Sequence, residues 1–193
     1  MTKIDNNTGI CIQIGLLSTI EMAYLTESDW KKKGEEQPQL NQIPVFDYDQ
    51  WSLYAVDCDP VSISVIQQQY NKPNLFLVCA YVSTPDIIIK DNKTNILVPS
   101  ISLSELINRL ELPRVDILKM DIEGSELEVL TNYDFIVKPH YISVESHEVF
   151  NKGCTKLLKT SLENQGYEII NTAYTNMAKT IEIQAQLPYA WRS

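Results

Sequence analysis

The chain of 193 residues carries 25 acidic against 16 basic side chains, a formal charge of −9, and 44% of it is hydrophobic. That length and apolar content suit one folded domain with a full core, and the acidic surplus argues against a nucleic-acid or anionic-membrane footprint while suiting a neutral or cationic small ligand. No apolar run reaches the roughly 18 residues of a membrane span, and the start "MTKIDNNTGICIQIG" lacks the parts of a signal peptide, so a cytoplasmic protein is expected.

In chain order, "GICIQIG" (9–15) predicts a buried strand. The charged stretch 26–50, broken by Gly34, Pro38 and Pro44, reads as a surface insertion or lid. "SLYAVD" (52–57) predicts a second strand, and "DPVSISVIQQQY" a helix with Asp59 as N-cap and Pro60 at its first position. A third strand follows at "NLFLVCAYV" (74–82), then two apolar pieces around "KDNKTN" that predict a small hairpin at the sheet edge. "SLSELINRLEL" places Ser102 and Glu105 at capping-box spacing, with Leu103, Leu106, Ile107 and Leu110 on one face. Strands at "VDILKMD" (115–121) and "HYISVESH" (140–147) flank a helix that starts after Gly124 and carries Leu127, Leu130 and Tyr133. "CTKLLKTSLENQGY" places Leu157, Leu158 and Leu162 on a stripe that stops at Gly166. "YEIINTAY" and "TIEIQAQL" supply the last strands, so the fold class is α/β with a mostly parallel sheet covered on both faces. Cys11, Cys58, Cys79 and Cys154 show no CxxC spacing and are expected to be buried reduced thiols.

Chemistry concentrates at the predicted carboxyl ends of the strands. Lys119, Asp121 and Glu123 are two residues apart, so in extended chain they share one side. Ser125 and Glu126 then stand near a positive helix N-terminus. Glu145 and His147 repeat that spacing on the next strand. A carboxylate beside a histidine fixes its tautomer and strengthens it as a base, so His147 oriented by Glu145 is the candidate general base. Asp121, Glu123, Glu145 and His147 equally suit a divalent cation such as Mg, or simple pairing with Lys119 and Arg114. Gly15 and Asp57 end the first two strands, where nucleoside folds place backbone and an acid against the ligand. His140, at the opposite end of its strand, is expected to be structural.

The run "SLSELINRLELPRVDILKMDIEGSELEVL" resembles the signature of the FkbM family of S-adenosylmethionine-dependent methyltransferases, with its Lys-x-Asp-x-Glu-Gly-x-Glu core. "YAVDCDP", "PHYISVESH" and "LENQGYEII" look like further family segments, so the resemblance runs from Ile10 over nearly the whole chain. It implies a class I, Rossmann-like sheet of six parallel strands and one antiparallel, with S-adenosylmethionine over the carboxyl ends of strands one and two. On that pattern Asp57 would hold the ribose, Gly15 the methionine part and Ala80 the adenine edge, with Gln13 and Asp121 alongside. The implied activity is O-methylation of a small polar acceptor such as a sugar or glycosylated metabolite; a homo-oligomer is compatible with it. The sequence departs from the family after Gly15, where "LLST" replaces a second glycine. That departure keeps open a non-catalytic binding or partner protein on the same fold.

Overall fold

Apolar runs alternating with helical periods leave one economical arrangement, a central sheet whose crossovers pack helices on its faces. The computed structural model describes residues 9–16, 51–69, 73–83, 88–90, 97–174 and 180–188. The elements are β1 (Ile10–Ile14), β2 (Ser52–Asp57), α1 (Pro60–Gln69), β3 (Leu75–Cys79), β4 (Tyr81–Val82), β5 (Ile88–Lys90), β6 (Leu97–Ile101) and α2 (Leu103–Arg109). They continue with β7 (Ile117–Met120), α3 (Glu126–Asn132), β8 (Tyr141–His147), α4 (Cys154–Asn164), β9 (Glu168–Tyr174) and β10 (Thr180–Gln186). The predicted lid at 26–50 lies outside the described residues.

Seven strands form one sheet in the order β3-β2-β1-β7-β8-β10-β9. Only β10 runs antiparallel, to β8 on one side and β9 on the other, as expected from the sequence. The run 74–82 does not stay in this sheet. Cys79 is the last residue to find a partner, opposite Asp57 where β2 ends; beyond it the chain pairs Tyr81 with Ser100 instead. The expected edge hairpin, β5 with β6, therefore joins β4 in a separate three-stranded sheet.

Helix ends follow the sequence signals. Ser102 accepts from the N–H of Glu105 at 3.1 Å, Asp59 accepts from that of Val61 at 2.9 Å, and Gly166 takes the left-handed φ of 88° after α4. One face of the sheet places Ile12, Ile14, Leu118, Met120, Ile142, Val144, Ile183 and Ala185 in a cluster with Leu106 of α2, Leu130 of α3 and Leu158 and Leu162 of α4. Each fully buried leucine contributes about 2 kcal/mol. Leu157 is 53% exposed, so the predicted stripe of α4 is carried by Cys154, Leu158 and Leu162; these are the spacings of four that share a helix face. The opposite face of the sheet is polar at its centre. Gln13, Lys119, Ser143 and Gln184 are register partners across β1, β7, β8 and β10, and Ser143 and Gln184 both donate to Glu182, at 2.7 and 3.1 Å.

Candidate active site

Parallel strands end together, so the carboxyl ends of β1, β2, β3 and β7 enclose a common space. A cavity of about 330 Å³ lies there, lined by Ile14, Gly15, Leu16, Asp57, Cys58, Ala80, Tyr81, Asp121, Glu123 and Ser125 among others. Gly15 makes this closure sterically feasible. It adopts φ 87°, and a Cβ on it would stand 1.6 Å from the Asp121 carbonyl oxygen, so any side chain would push β1 and β7 apart. Of the bulky run after Gly15, only Leu16 lies among the described residues. Leu16 is 1% exposed and packs with Ala55 and with Ile66 of α1, and its N–H donates to Asp57 Oδ2 at 2.6 Å. Asp57 Oδ1 accepts from the Asp59 N–H at 2.7 Å. Burial nevertheless raises its carboxyl above the ordinary range, opposed by those backbone donors.

Four of the sequence-predicted cofactor residues, Gly15, Asp57, Ala80 and Asp121, share this cavity, and so does Glu123. Gln13 does not line it. Strand alternation turns its side chain to the polar face of the sheet, where it is 1% exposed and its amide donates to Gly15 O at 3.4 Å. Cys58 corrects another expectation, because it is exposed and lines the cavity while Cys11 and Cys154 are buried.

His147 stands beside the cavity at the end of β8 and is 5% exposed. Its Nδ1 lies 2.8 Å from Oε1 of Glu126, so the orienting carboxylate is Glu126, in place of the expected Glu145. Glu126 is 2% exposed. Its carboxylate folds back over the turn, accepting from the Ile122 N–H at 3.1 Å and the Gly124 N–H at 3.0 and 3.1 Å. A carboxylate so engaged accepts only, which puts the proton on Nδ1 and the lone pair on Nε2. Nε2 faces Asp121 Oδ1 at 3.5 Å and Glu123 Oε2 at 3.4 Å. Glu145 remains in the group: ligand atoms of Asp121, Glu145 and His147 all lie within 4.8 Å of one another. Phe150, 64% exposed, rests against Gly124 and holds its ring 5.9 Å from that of His147. The sequence signal for Glu126 was its place two residues after Gly124, which in a tight turn aims a side chain back at the preceding backbone.

The other histidine serves the far edge of the sheet. His140 Nδ1 pairs with Asp116 Oδ1 at 3.1 Å, while Asp116 Oδ2 accepts from the Ile10 N–H at 2.7 Å and meets Arg114 Nε at 3.2 Å.

The sequence model of one protein family, the methyltransferase FkbM domain, matches residues 24–169. Comparison with curated proteins gives no match. Among solved structures, TrmK of M. capricolum in complex with S-adenosyl-homocysteine is similar, with TM-score 0.56 and 14% identity over 96% of this chain and 65% of that one. This chain thus spans just under two thirds of the TrmK chain. Human methyltransferase-like protein 13 with the same ligand superposes at TM-score 0.54 with 11% identity, covering 93% and 72% of the two chains. Magnesium protoporphyrin IX methyltransferase from Synechocystis, with bound S-adenosylmethionine, gives 0.51 with 7% identity over 95% and 72%. At these identities the likeness is one of fold.

Proposed function

The chain belongs to the FkbM methyltransferase family, and from that premise we propose that it transfers a methyl group from S-adenosylmethionine to a hydroxyl of a small polar acceptor, such as a sugar or glycosylated metabolite. The observation that carries this reading is the pairing of a 330 Å³ cavity with an oriented imidazole beside it. A cavity of that size lies within the range of small-molecule sites, about 300–1,000 Å³. Its residues fit the cofactor: Gly15 admits close approach of backbone, Asp57 stands at the end of β2, and Ala80 supplies a small apolar wall. When bound, the cofactor supplies an electrophilic methyl group on a sulfonium.

The chain's own contribution is position and a base. His147 Nε2 takes the proton of the attacking hydroxyl while Glu126 stabilises the imidazolium through Nδ1. Asp121 and Glu123 orient the hydroxyl, and Glu126 keeps the ring in place. A base so placed contributes about 10²- to 10⁴-fold, and alignment of oxygen with methyl supplies much of the rest. A second reading is favoured by the shared reach of Asp121, Glu145 and His147: oxygen ligands and one imidazole suit a divalent cation that would hold the acceptor oxygen. Calorimetric titration with S-adenosylmethionine and its demethylated product, with and without magnesium, tests both. Micromolar binding supports the transferase, and magnesium-dependent heat lost in Glu145→Gln supports the cation. Absence of binding up to millimolar favours a non-catalytic partner protein instead.

A further inference from the structure

The chain leaving β8 is tied down at both ends. The N–H groups of Phe150 and Asn151 donate to the His147 carbonyl at 3.0 and 3.1 Å, and the Asn151 carbonyl accepts from the Cys154 N–H at 3.1 Å. The Glu148 carboxylate takes the N–H groups of Gly153 and Thr155 where α4 begins. Phe150 nevertheless stands 64% exposed on this frame. Its side chain is seated on the neighbouring turn, since a Cβ on Gly124 would lie 2.9, 3.2 and 3.3 Å from its Cβ, Cδ2 and Cγ. Single exposed apolar side chains are ordinary. This one is aromatic, pinned, and centred 5.9 Å from the His147 ring.

Access to the imidazole points the same way. His147 is 5% exposed, so an acceptor hydroxyl must reach Nε2 past a neighbour. Of the side chains gathered at the ring, Asp121 and Glu126 are buried and Glu145 is half-buried, whereas Glu123 and Phe150 reach solvent. Among the described residues the approach therefore runs between a carboxylate and an aromatic ring. A hydroxyl bonded to Nε2 holds its oxygen about 3 Å away, and the carbon frame behind it comes within reach of the Phe150 ring. An apolar ring face beside a carboxylate complements a pyranose, which offers C–H groups on a face and hydroxyls around its rim.

We propose that Phe150 selects the acceptor by stacking on the C–H face of a pyranose ring. Glu123 accepts from a rim hydroxyl, and a neighbouring hydroxyl is thereby delivered to His147 Nε2. The inference rests on reading His147 as the base of a transferase, and it assigns the acceptor's contact surface to the turn after β8.

The test needs no cofactor. Diethyl pyrocarbonate acylates neutral imidazole, and peptide mass spectrometry reads His147 separately from His140, the reference at the far edge of the sheet. The probes are the methyl pyranosides of glucose, galactose, mannose and rhamnose at about 50 mM, which suits the weak affinity of one stacked ring. At least one is expected to slow acylation of His147 about threefold or more without slowing that of His140. Phe150→Tyr keeps this protection. Phe150→Leu, which retains an apolar side chain against Gly124, loses it. Phe150→Ala loses it too, and its unprotected His147 reacts several-fold faster. Protection by none of the four, protection that survives in Phe150→Leu, or protection by phenol alone overturns the proposal and leaves the transferase reading standing. Protection without any binding of S-adenosylmethionine supports the ring-binding role of Phe150 and overturns the transferase.

Discussion

His140 immediately precedes β8 and His147 ends it, so one strand presents an imidazole at each edge of the sheet. At the amino edge a single carboxylate, Asp116, serves His140, Arg114 and the Ile10 N–H. Donors there outnumber acceptor groups, and each is drawn inward onto a side chain that is 0% exposed. At the carboxyl edge the ratio is reversed, with Glu126, Asp121 and Glu123 around one ring. The first arrangement is closed and holds strands together. The second gathers three carboxylates around one imidazole, an arrangement that suits a proton, a hydroxyl or a cation. On the proposed function, the same residue pair, histidine and carboxylate, is structural at one edge and chemical at the other.

The largest way to break this comparison is to exchange the histidines in turn. His147→Asn is expected to lower turnover by about 10²- to 10⁴-fold with cofactor affinity changed less than about twofold. His140→Asn leaves turnover within about twofold; methyl transfer from radiolabelled cofactor, alongside calorimetry, reads both. Equal losses from the two substitutions would end the distinction between the edges. Asp116→Asn strikes the closed edge itself. Removing the one charge that Arg114 and His140 share costs about 3 kcal/mol in urea denaturation, with cofactor affinity unmoved.

Glu148 supplies a smaller and sharper case, because it follows His147 directly yet already has its donors. Its oxygens accept the N–H groups of Gly153 at 2.6 Å and Thr155 at 3.0 Å, and the Gly153 bond leads the causes that hold its carboxyl below the ordinary 4.5. A lowered value means that ionised Glu148 stabilises the fold above pH 4.5 and that this contribution fades as pH falls below it. Glu148→Gln should therefore cost about 1 kcal/mol at neutral pH and nothing near pH 2, with turnover unaffected. Cys58 gives the smallest effect. Exposed in the cavity, with its thiol raised by burial of its surroundings and by Asp57, it should react slowly with iodoacetamide and several-fold more slowly once S-adenosylhomocysteine is bound. A rate indifferent to ligand would place the ligand elsewhere.

Much of this was legible in the sequence because it depends on local pattern. Period-two and period-four spacing located the main-sheet strands and the helices of 60–69, 103–109 and 154–164, and the "DIEGSE" run pointed to the site. What escaped depends on geometry that spacing does not encode. Glu126 reaches His147 only because Glu123 and Gly124 take φ of 56° and 110°, which folds the turn back on itself. Gln13 was placed at the cofactor by the family resemblance, yet its side chain is buried on the polar face of the sheet and donates to the Gly15 carbonyl. The break at Ala80 was hidden because an apolar run records burial without recording which sheet does the burying.

The seam between β1 and β7 has a further consequence in time. Among the described strands β1 comes first in the chain, yet its pairing with β7 joins Cys11 to Ile117 and Ile10 to Asp116. Pairing at so long a sequence separation is slow, so the middle of the sheet keeps an open apolar edge until most of the chain has been made. The cavity spans that same seam, with Gly15 on one side and Asp121 on the other. No nascent fragment ending before Asp121 can own the whole of this cavity, and ligand arriving during synthesis would meet it only after the centre of the molecule has closed.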